Sequence, residues 1–353
     1  MSHSCRKQPV PVVILNWNGI DDTLRCVDHL LASRGTDFRA VVVDNASNGD
    51  EYERLTEYFE RDPSVEIRRN ERNLGFARGV NRILVELLEN QSERPEYVAL
   101  LNNDAFPEPD WLMSLVQTAE RFRAGAVTSC MLREDDPALL DNAGHVFLNT
   151  GEVLPRGAGR PASRFDEQTN VTGVCGGACL LRLDMLAEIG IFDEFYTTGY
   201  EDAELGLRAM RAGYTQVYEP NARVRHKIGA SIDKIRDKDF AVALQVNINY
   251  AYFKLMPWAV ITWNMPWILV KQVVMLLVPG LIGRWRLLRV QWAALAGSIR
   301  VAPRILSARR QSGPRRLSTI ALVRRQSFFL PFYTRYFIRF VIGRRQTIFE
   351  RWE

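Results

Sequence analysis

Residues Val10–Leu15 read Val-Pro-Val-Val-Ile-Leu and run directly into Asn16-Trp17-Asn18-Gly19. A continuous apolar, β-branched run of this length that stops at a polar turn reads as a buried strand meeting a functional loop. Working outward, Leu24, Val27, Leu30 and Leu31 recur at helical spacing, Ala40–Val43 makes a second strand that stops at Asp44-Asn45-Ala46-Ser47, and Glu51–Phe59 reads as helix. Val65–Arg68 and Tyr97–Leu101 are further strands with a helical stretch, Asn81–Leu88, between them, and the last strand ends at Asn102-Asn103-Asp104. Strands alternating with helices predict an α/β fold with a mostly parallel sheet flanked by helices. Such sheets bind ligands at the carboxyl ends of their strands, and the clusters Asn16–Asn18, Asp44–Asn45 and Asn102–Asp104 all fall there.

The chain has 353 residues, 47% hydrophobic and 25% charged, which excludes a disordered, collagen-like or low-complexity protein. That length predicts two domains or one elaborated domain. The net charge of +5 conceals an asymmetry. Residues 284–353 hold 16 Arg, no Lys and only Glu350 and Glu353 as acids, so this stretch carries 16 − 2 = +14 and residues 1–283 carry 5 − 14 = −9. An acidic body with a basic tail points to a polyanion or an anionic membrane as the tail's partner. Five cysteines without a CxxC pair fit a reducing compartment. Arg6 and Lys7 precede an apolar run too short for a signal peptide, so Val10–Leu15 is expected to be a strand of the fold. Residues 105–232 mix short strands, Gly-rich loops and one helix, with 151–169 expected to be a mobile loop.

Four constellations carry chemistry. Asp44 at a strand end suits a ribose or base N–H, or equally a turn cap. Asp104 after Asn102-Asn103 suits a hard cation beside a diphosphate, with an Asx turn before Pro107 and Pro109 as the alternative. In Asn73-Leu74-Gly75-Phe76-Ala77-Arg78-Gly79-Val80-Asn81, small residues at 75, 77 and 79 would admit a phosphate to backbone N–H groups, with Arg78 as charge partner; a helix start capped by Asn73 explains the pattern as well. It is neither a Walker A loop nor G-x-G-x-x-G. Gly176-Gly177 permit close approach of a substrate to the backbone, whereas Cys175 and Cys179 lack the second Cys/His pair that would complete a metal site. Glu201-Asp202-Ala203-Glu204 opens a helix, where acids either suit the dipole or offer a general base. His226 is a lone histidine that a cation could recruit.

Taken in order, the stretches Val12–Gly19, Val41–Ser47, Asn73–Asn81, Leu100–Asp110, Gly176–Leu181, Phe192–Arg208 and Pro220–Ser231 resemble the family 2 glycosyltransferases of GT-A fold, especially their bacterial rhamnosyltransferase-like branch. The resemblance covers about 10–231. It implies a GT-A, Rossmann-like catalytic domain over 1–232, with a nucleotide-binding half near 10–104 and an acceptor half near 105–232. Asn16, Asn18, Asp44, Asn45, Asn73, Gly75, Arg78, Asn102, Asn103, Gly176 and Gly177 would line the nucleotide-sugar site. Asp104 stands at the last acid of the family's DxD element and His226 at the histidine that completes the metal site in some members, so both would hold Mg²⁺ or Mn²⁺. Asn102 replaces the first acid, which removes one of the two carboxylates of that element. Asp202 matches the catalytic base, with Glu201 beside it. The implied reaction is inverting transfer from a nucleotide sugar, dTDP-L-rhamnose before UDP-hexose or UDP-galactofuranose, to a glycan or lipid-diphosphate-linked acceptor in cell-surface glycan synthesis.

Residues 233–353 read as a helical, Trp/Arg-rich region. Pro257–Gly283 is apolar over 27 residues, long enough for a membrane span. Three prolines, Lys271 and Gln272 argue against a clean span, while the tryptophans and following arginines suit helices in the headgroup region. The expectation is peripheral attachment to the cytoplasmic face of the inner or plasma membrane. A nucleic-acid reading of the Arg and of Phe328, Phe329, Phe332, Tyr333, Tyr336 and Phe337 has base stacking in its favour, but the chain shows no recognised module for it, so no nucleic acid is expected. A non-catalytic scaffold would not need Asp104, Asp202 and His226 together.

Overall fold

The computed structural model describes residues 8–90, 92–197, 199–227 and 238–336. The elements in chain order begin β1 (Val10–Asn16), α1 (Ile20–Leu31), β2 (Phe38–Asp44), α2 (Glu51–Phe59), β3 (Val65–Arg69), α3 (Gly75–Glu89) and β4 (Tyr97–Leu101). They continue with β5 (Ala105–Pro107), α4 (Trp111–Phe122), β6 (Ala126–Arg133), β7 (Leu140–Asn142), β8 (His145–Phe147), β9 (Val153–Pro155), β10 (Thr169–Asn170), β11 (Ala178–Arg182), α5 (Leu183–Ile189), α6 (Glu201–Arg211) and β12 (Gln216–His226). Five helices follow: α7 (Lys238–Leu255), α8 (Trp258–Leu281), α9 (Trp285–Arg310), α10 (Thr319–Arg324) and α11 (Leu330–Tyr336). The chain forms two compact units. One contains 8–145, 155–197 and 201–227; the other contains 146–154, 199–200 and 238–336.

In the first unit the sheet order is β10-β12-β6-β11-β4-β1-β2-β3, with β5 on β12 and β7 on β6. The run β4-β1-β2-β3 is parallel throughout. Antiparallel β11 then joins β4 to β6, and β12 lies parallel to β6. Helices cover both faces because β1 is apolar on both. Val12 and Ile14 pack with α1, α2 and α4 residues such as Val27, Leu55 and Leu112, while Val13 on the other face packs with Val80, Leu84 and Leu186 of α3 and α5. Each fully buried side chain of this size contributes roughly 1.5–3 kcal/mol.

Two sequence expectations change. Helix α3 begins at Gly75, six residues before the periodic stretch at Asn81, so the small residues lie inside its first turns. A Cβ on Gly79 would stand 2.8 Å from Leu15 Cδ1 on β1, so a larger residue there would have to push that side-chain end aside. The stretch 151–169 is also more ordered than its composition suggests. It carries β9 and a 3₁₀ turn at Ala162–Arg164, and backbone bonds such as Leu140 N–H to Arg160 O (2.9 Å) and Arg156 N–H to Gly144 O (2.7 Å) tie it to the β7 region.

In the second unit α8 runs unbroken through Pro266 and Pro279. It is the one helix among the described residues long and apolar enough to cross a membrane. The segment 146–154 packs within this unit: Phe147 meets Tyr252 with ring centroids 6.1 Å apart, and Tyr200 Oη donates to Gly151 O at 2.7 Å. The aromatic cluster flagged in the sequence turns partly inward, with Phe329 buried against Trp267 and Tyr333. Ser231 and Phe337 lie outside the described residues.

Candidate active site

Parallel register puts Asn16 of β1 opposite Asp44 of β2, so both strands end at one edge. Asn16 is fully hydrogen-bonded there. Its Nδ2 donates to Asp44 Oδ1, Ser47 Oγ and Glu51 Oε2, each at 3.1 Å, and its Oδ1 accepts from Thr23 Oγ1 at 2.7 Å. Asn16 therefore positions Asp44, with its amide hydrogens and one lone pair of Oδ1 engaged inside the protein. Asp44 is wholly buried, accepts from Ser47 N–H at 3.4 Å (Oδ1) and 3.3 Å (Oδ2), and lies 3.5 Å from Arg69 Nε. Asn18 and Ala46 hold left-handed backbone (φ 51° and 58°), locked by Asn18 N–H to Ser47 Oγ (2.9 Å) and Asn48 N–H to Asn18 Oδ1 (2.8 Å).

Asn45 anchors the adjoining segment. It donates to Asn73 Oδ1 at 2.8 Å and accepts from Asn70 Nδ2 and Leu74 N–H at 2.9 and 3.0 Å. Asn73 also accepts from Gly75 N–H (2.8 Å), and Gly75 takes φ 73°, which its lack of a side chain permits. Arg78 is paired with Glu194 at 3.2 Å on an exposed surface.

The third strand end carries the acids. Asn102 N–H donates to Gly177 O (2.8 Å), and Asn103 is held by Thr23 Oγ1 (3.0 Å). A Cβ on Gly177 would meet Asn102 Nδ2 at 3.2 Å, and one on Gly176 would meet Asp202 Cβ at 3.2 Å. The glycine pair is thus the spacer that lets Asn102 and Asp202 approach from opposite sides.

Antiparallel pairing of β12 with β5 sets His226 opposite Ala105, which brings it beside Asp104. Asp104 Oδ1 and His226 Nε2 face each other at 3.2 Å, both buried and neither in a hydrogen bond. Behind the ring, His226 Nδ1 is 2.8 Å from Asp141 Oδ2. Burial alone would lower the pKa of this histidine, but Asp104 and Asp141 outweigh it and raise it to about 10. A carboxylate behind Nδ1 fixes the tautomer that leaves Nε2 free to ligate. One carboxylate oxygen and one imidazole nitrogen, buried and facing each other, fit a divalent cation.

Asp202 lies in the first turn of α6, where Oδ2 accepts from Gly176 N–H (2.9 Å) and Oδ1 from Ala203 N–H (2.7 Å). Its side chain remains 23% exposed. Glu201 differs: burial, helped by the charge of Asp202, pushes its carboxyl up to about 8. His145 Nε2 lies 3.8 Å from Asp202 Oδ2, and burial lowers its pKa. Burial and then Asp202 push the Cys175 thiol well up, with Asp141 adding to the effect. Cys179 is instead in the core.

Sequence reading missed Glu51, Ser47, Thr23, Asp141 and His145. Ser47 closes the Val41–Ser47 stretch, and the other four stand in no distinctive local pattern. Asp141 is linked to His226 only through the pairing of β7 with β6 and of β6 with β12.

The sequence pattern of Glycosyl transferase family 2 matches residues 12–190, half of the chain. The chain belongs to glycosyltransferase family 2. Among curated relatives it is 31% identical over 187 residues to the N-acetylglucosaminyl-diphospho-decaprenol L-rhamnosyltransferase of Mycobacterium tuberculosis, covering 47% of this chain and 60% of that protein. It is also 28% identical over 265 residues to the O-antigen biosynthesis protein RfbC of Myxococcus xanthus, covering 72% of this chain and 20% of RfbC. The chain thus spans 60% or less of the length of these relatives. Two solved structures share the fold. They are GalNAc-T7 with UDP, GalNAc and Mn²⁺ (TM-score 0.52, 17% identity, 71% of this chain and 51% of that one) and the Pyrobaculum calidifontis mannosyltransferase PcManGT with GDP-Man and Mn²⁺ (0.51, 15%, 95% and 81%). The fold of this family 2 member is GT-A.

Proposed function

We propose that this family 2 chain transfers a sugar from a nucleotide sugar to an acceptor hydroxyl with inversion at the anomeric carbon. The observation that carries the reading is the arrangement around Gly176-Gly177: a half-open carboxylate, Asp202, is bonded to this pair on one side, while Asn102, two residues before the buried Asp104–His226 pair, contacts it on the other. Asp202 takes the proton from the attacking hydroxyl. Asp44, Asn45, Asn73 and Gly75 shape the nucleotide end, and Asn16 and Asn18 hold that end rigid. Asp104 and His226 would hold Mg²⁺ or Mn²⁺, whose charge favours departure of a nucleoside diphosphate. The imidazole ligand favours Mn²⁺ of the two.

The relatives suggest the substrates. Because one of them is named as a rhamnosyltransferase acting on a diphospho-decaprenol acceptor, we assign dTDP-L-rhamnose as donor and a lipid-diphosphate-linked glycan as acceptor, used at the cytoplasmic face of a membrane. A panel of nucleotide sugars with Mn²⁺ or Mg²⁺, read by thermal shift and then by transfer, tests this, and preference for a UDP-hexose overturns the donor. Asp202→Asn should cut turnover by at least about 10²-fold and leave donor binding within about twofold. Wild-type turnover in that variant refutes the base assignment.

A further inference from the structure

Helix α8 has its polarity reversed. In a helix facing water, polar residues point out and apolar residues in. Here Asn264 and Lys271 are 2% and 6% exposed, while Trp263, Val270, Leu277 and Leu281 are 68%, 49%, 59% and 84% exposed. The outward positions recur at helical spacing, so they make one continuous stripe, and no charged residue lies on it.

The inward side is clamped. Lys271 Nζ donates to Glu152 Oε1 at 2.6 Å and to Thr150 O at 3.1 Å. Glu152 also accepts from Tyr333 Oη at 2.8 Å and from Thr150 Oγ1 at 2.6 Å. The polar groups that would interrupt a membrane segment are thus satisfied within the unit, and among the described residues the apolar stripe stays exposed. Next along the chain, α9 exposes Arg286, Arg289, Arg300, Arg304 and Arg310 together with Trp285 and Trp292. Exposed apolar and indole groups beside a dense, Lys-free row of arginines complement anionic headgroups over acyl chains.

We propose that α8 lies in the plane of an anionic bilayer, with its Trp263-to-Leu281 stripe at the boundary of headgroups and acyl chains, and does not cross it. A crossing helix would carry mid-helix Lys271 and its partner Glu152 to the bilayer centre. Arg156 is only four residues from Glu152, a reach of about 14 Å at full extension, against about 15 Å from bilayer centre to headgroups. The charged, irregular chain beyond β9 would then stand in hydrocarbon, which backbone outside helices and closed barrels does not tolerate. Lying flat removes that conflict. It also leaves the Thr262 carbonyl, deprived of its helical donor by Pro266, within reach of water and headgroups.

This inference rests on the membrane attachment proposed above, and the experiment separates the two. Full-length protein is floated with protein-free vesicles of phosphatidylglycerol and phosphatidylcholine, or of phosphatidylcholine alone. We expect at least tenfold stronger binding to the anionic vesicles, and a further loss of tenfold or more in Leu277→Glu with unchanged circular dichroism. Bimane labels are then placed at Thr262→Cys, Val270→Cys and Leu281→Cys in a Cys5→Ser, Cys175→Ser background, and their depths read by spin-labelled lipid quenching. Three equal, shallow depths support the in-plane helix. A Val270 label at the bilayer centre with shallow ends shows a span and overturns this inference alone. No flotation with either vesicle means that the stripe is covered by something other than lipid, and overturns the attachment as well.

Discussion

Asp141 shows how a residue without a sequence signature can bear on the cation site proposed at Asp104 and His226. It supplies the carboxylate behind His226, and it is one of two groups that raise that histidine to about 10. Below that pH a proton occupies the ring in the metal-free protein, so proton and cation compete for Nε2. Mn²⁺ affinity should therefore rise with pH between 6 and 9, by up to about tenfold per unit. Asp141→Asn removes one raising group and should flatten that slope. At pH 9, where proton competition is weakest, losing the orienting partner should still weaken Mn²⁺ binding about 10- to 100-fold. Titration calorimetry across pH checks both effects, and a wild-type slope in the variant would mean that Asp141 does not act through His226. The sequence resemblance marked Asp104, Asp202 and His226 because each sits in a local motif. It could not mark Asp141, whose role comes from strand pairing.

At the scale of elements, the parallel strands were legible because burial on both faces leaves continuous runs such as Val12-Val13-Ile14. The start of α3 was not, because Gly75 and Gly79 look like loop residues. Gly79 lies in a helix against its own propensity, close to the Leu15 side chain on β1. Gly206 in α6 obeys the same rule more severely, and there the sign of a substitution can be decided. Alanine in a helix interior normally gains about 1 kcal/mol over glycine. A Cβ at 206, however, would stand 2.7 Å from the Gly173 Cα, which is backbone and cannot rotate away. Gly173 in turn accepts the His145 N–H, so the shift would travel to the wall of the Asp202 site. Gly206→Ala should lower stability by about 1–3 kcal/mol by overpacking, measured by urea denaturation. A stabilised variant would show that propensity dominates and that the 173–177 loop yields.

For the whole molecule, composition changes near residue 232, but packing does not divide the chain there. Segments 146–154 and 199–200 belong to the helical unit, although 146–154 lies within the stretch matched to glycosyltransferase family 2. The reason is physical: Phe147 needs Tyr252, and Gly199 O accepts from Asn247 Nδ2 at 2.9 Å, contacts that no local pattern reports. Tyr200 holds a strained φ of 83° immediately before Glu201-Asp202, and its hydroxyl bond to Gly151 O fixes it. Tyr200, the residue before Glu201-Asp202, is thus held within the helical unit. If that unit served only for attachment, a chain ending at residue 232 would keep full activity on a water-soluble acceptor. The contacts made by Asn247 and Tyr252 predict otherwise. That shortened chain should lose at least about tenfold in kcat on such an acceptor, equivalent to about 1.4 kcal/mol of misplacement at the base. Asn247→Ala in the full-length protein should reproduce part of that loss while vesicle binding stays intact. Full kcat in both would reduce the helical unit to an anchor, and a loss in both would make it a structural half of the enzyme.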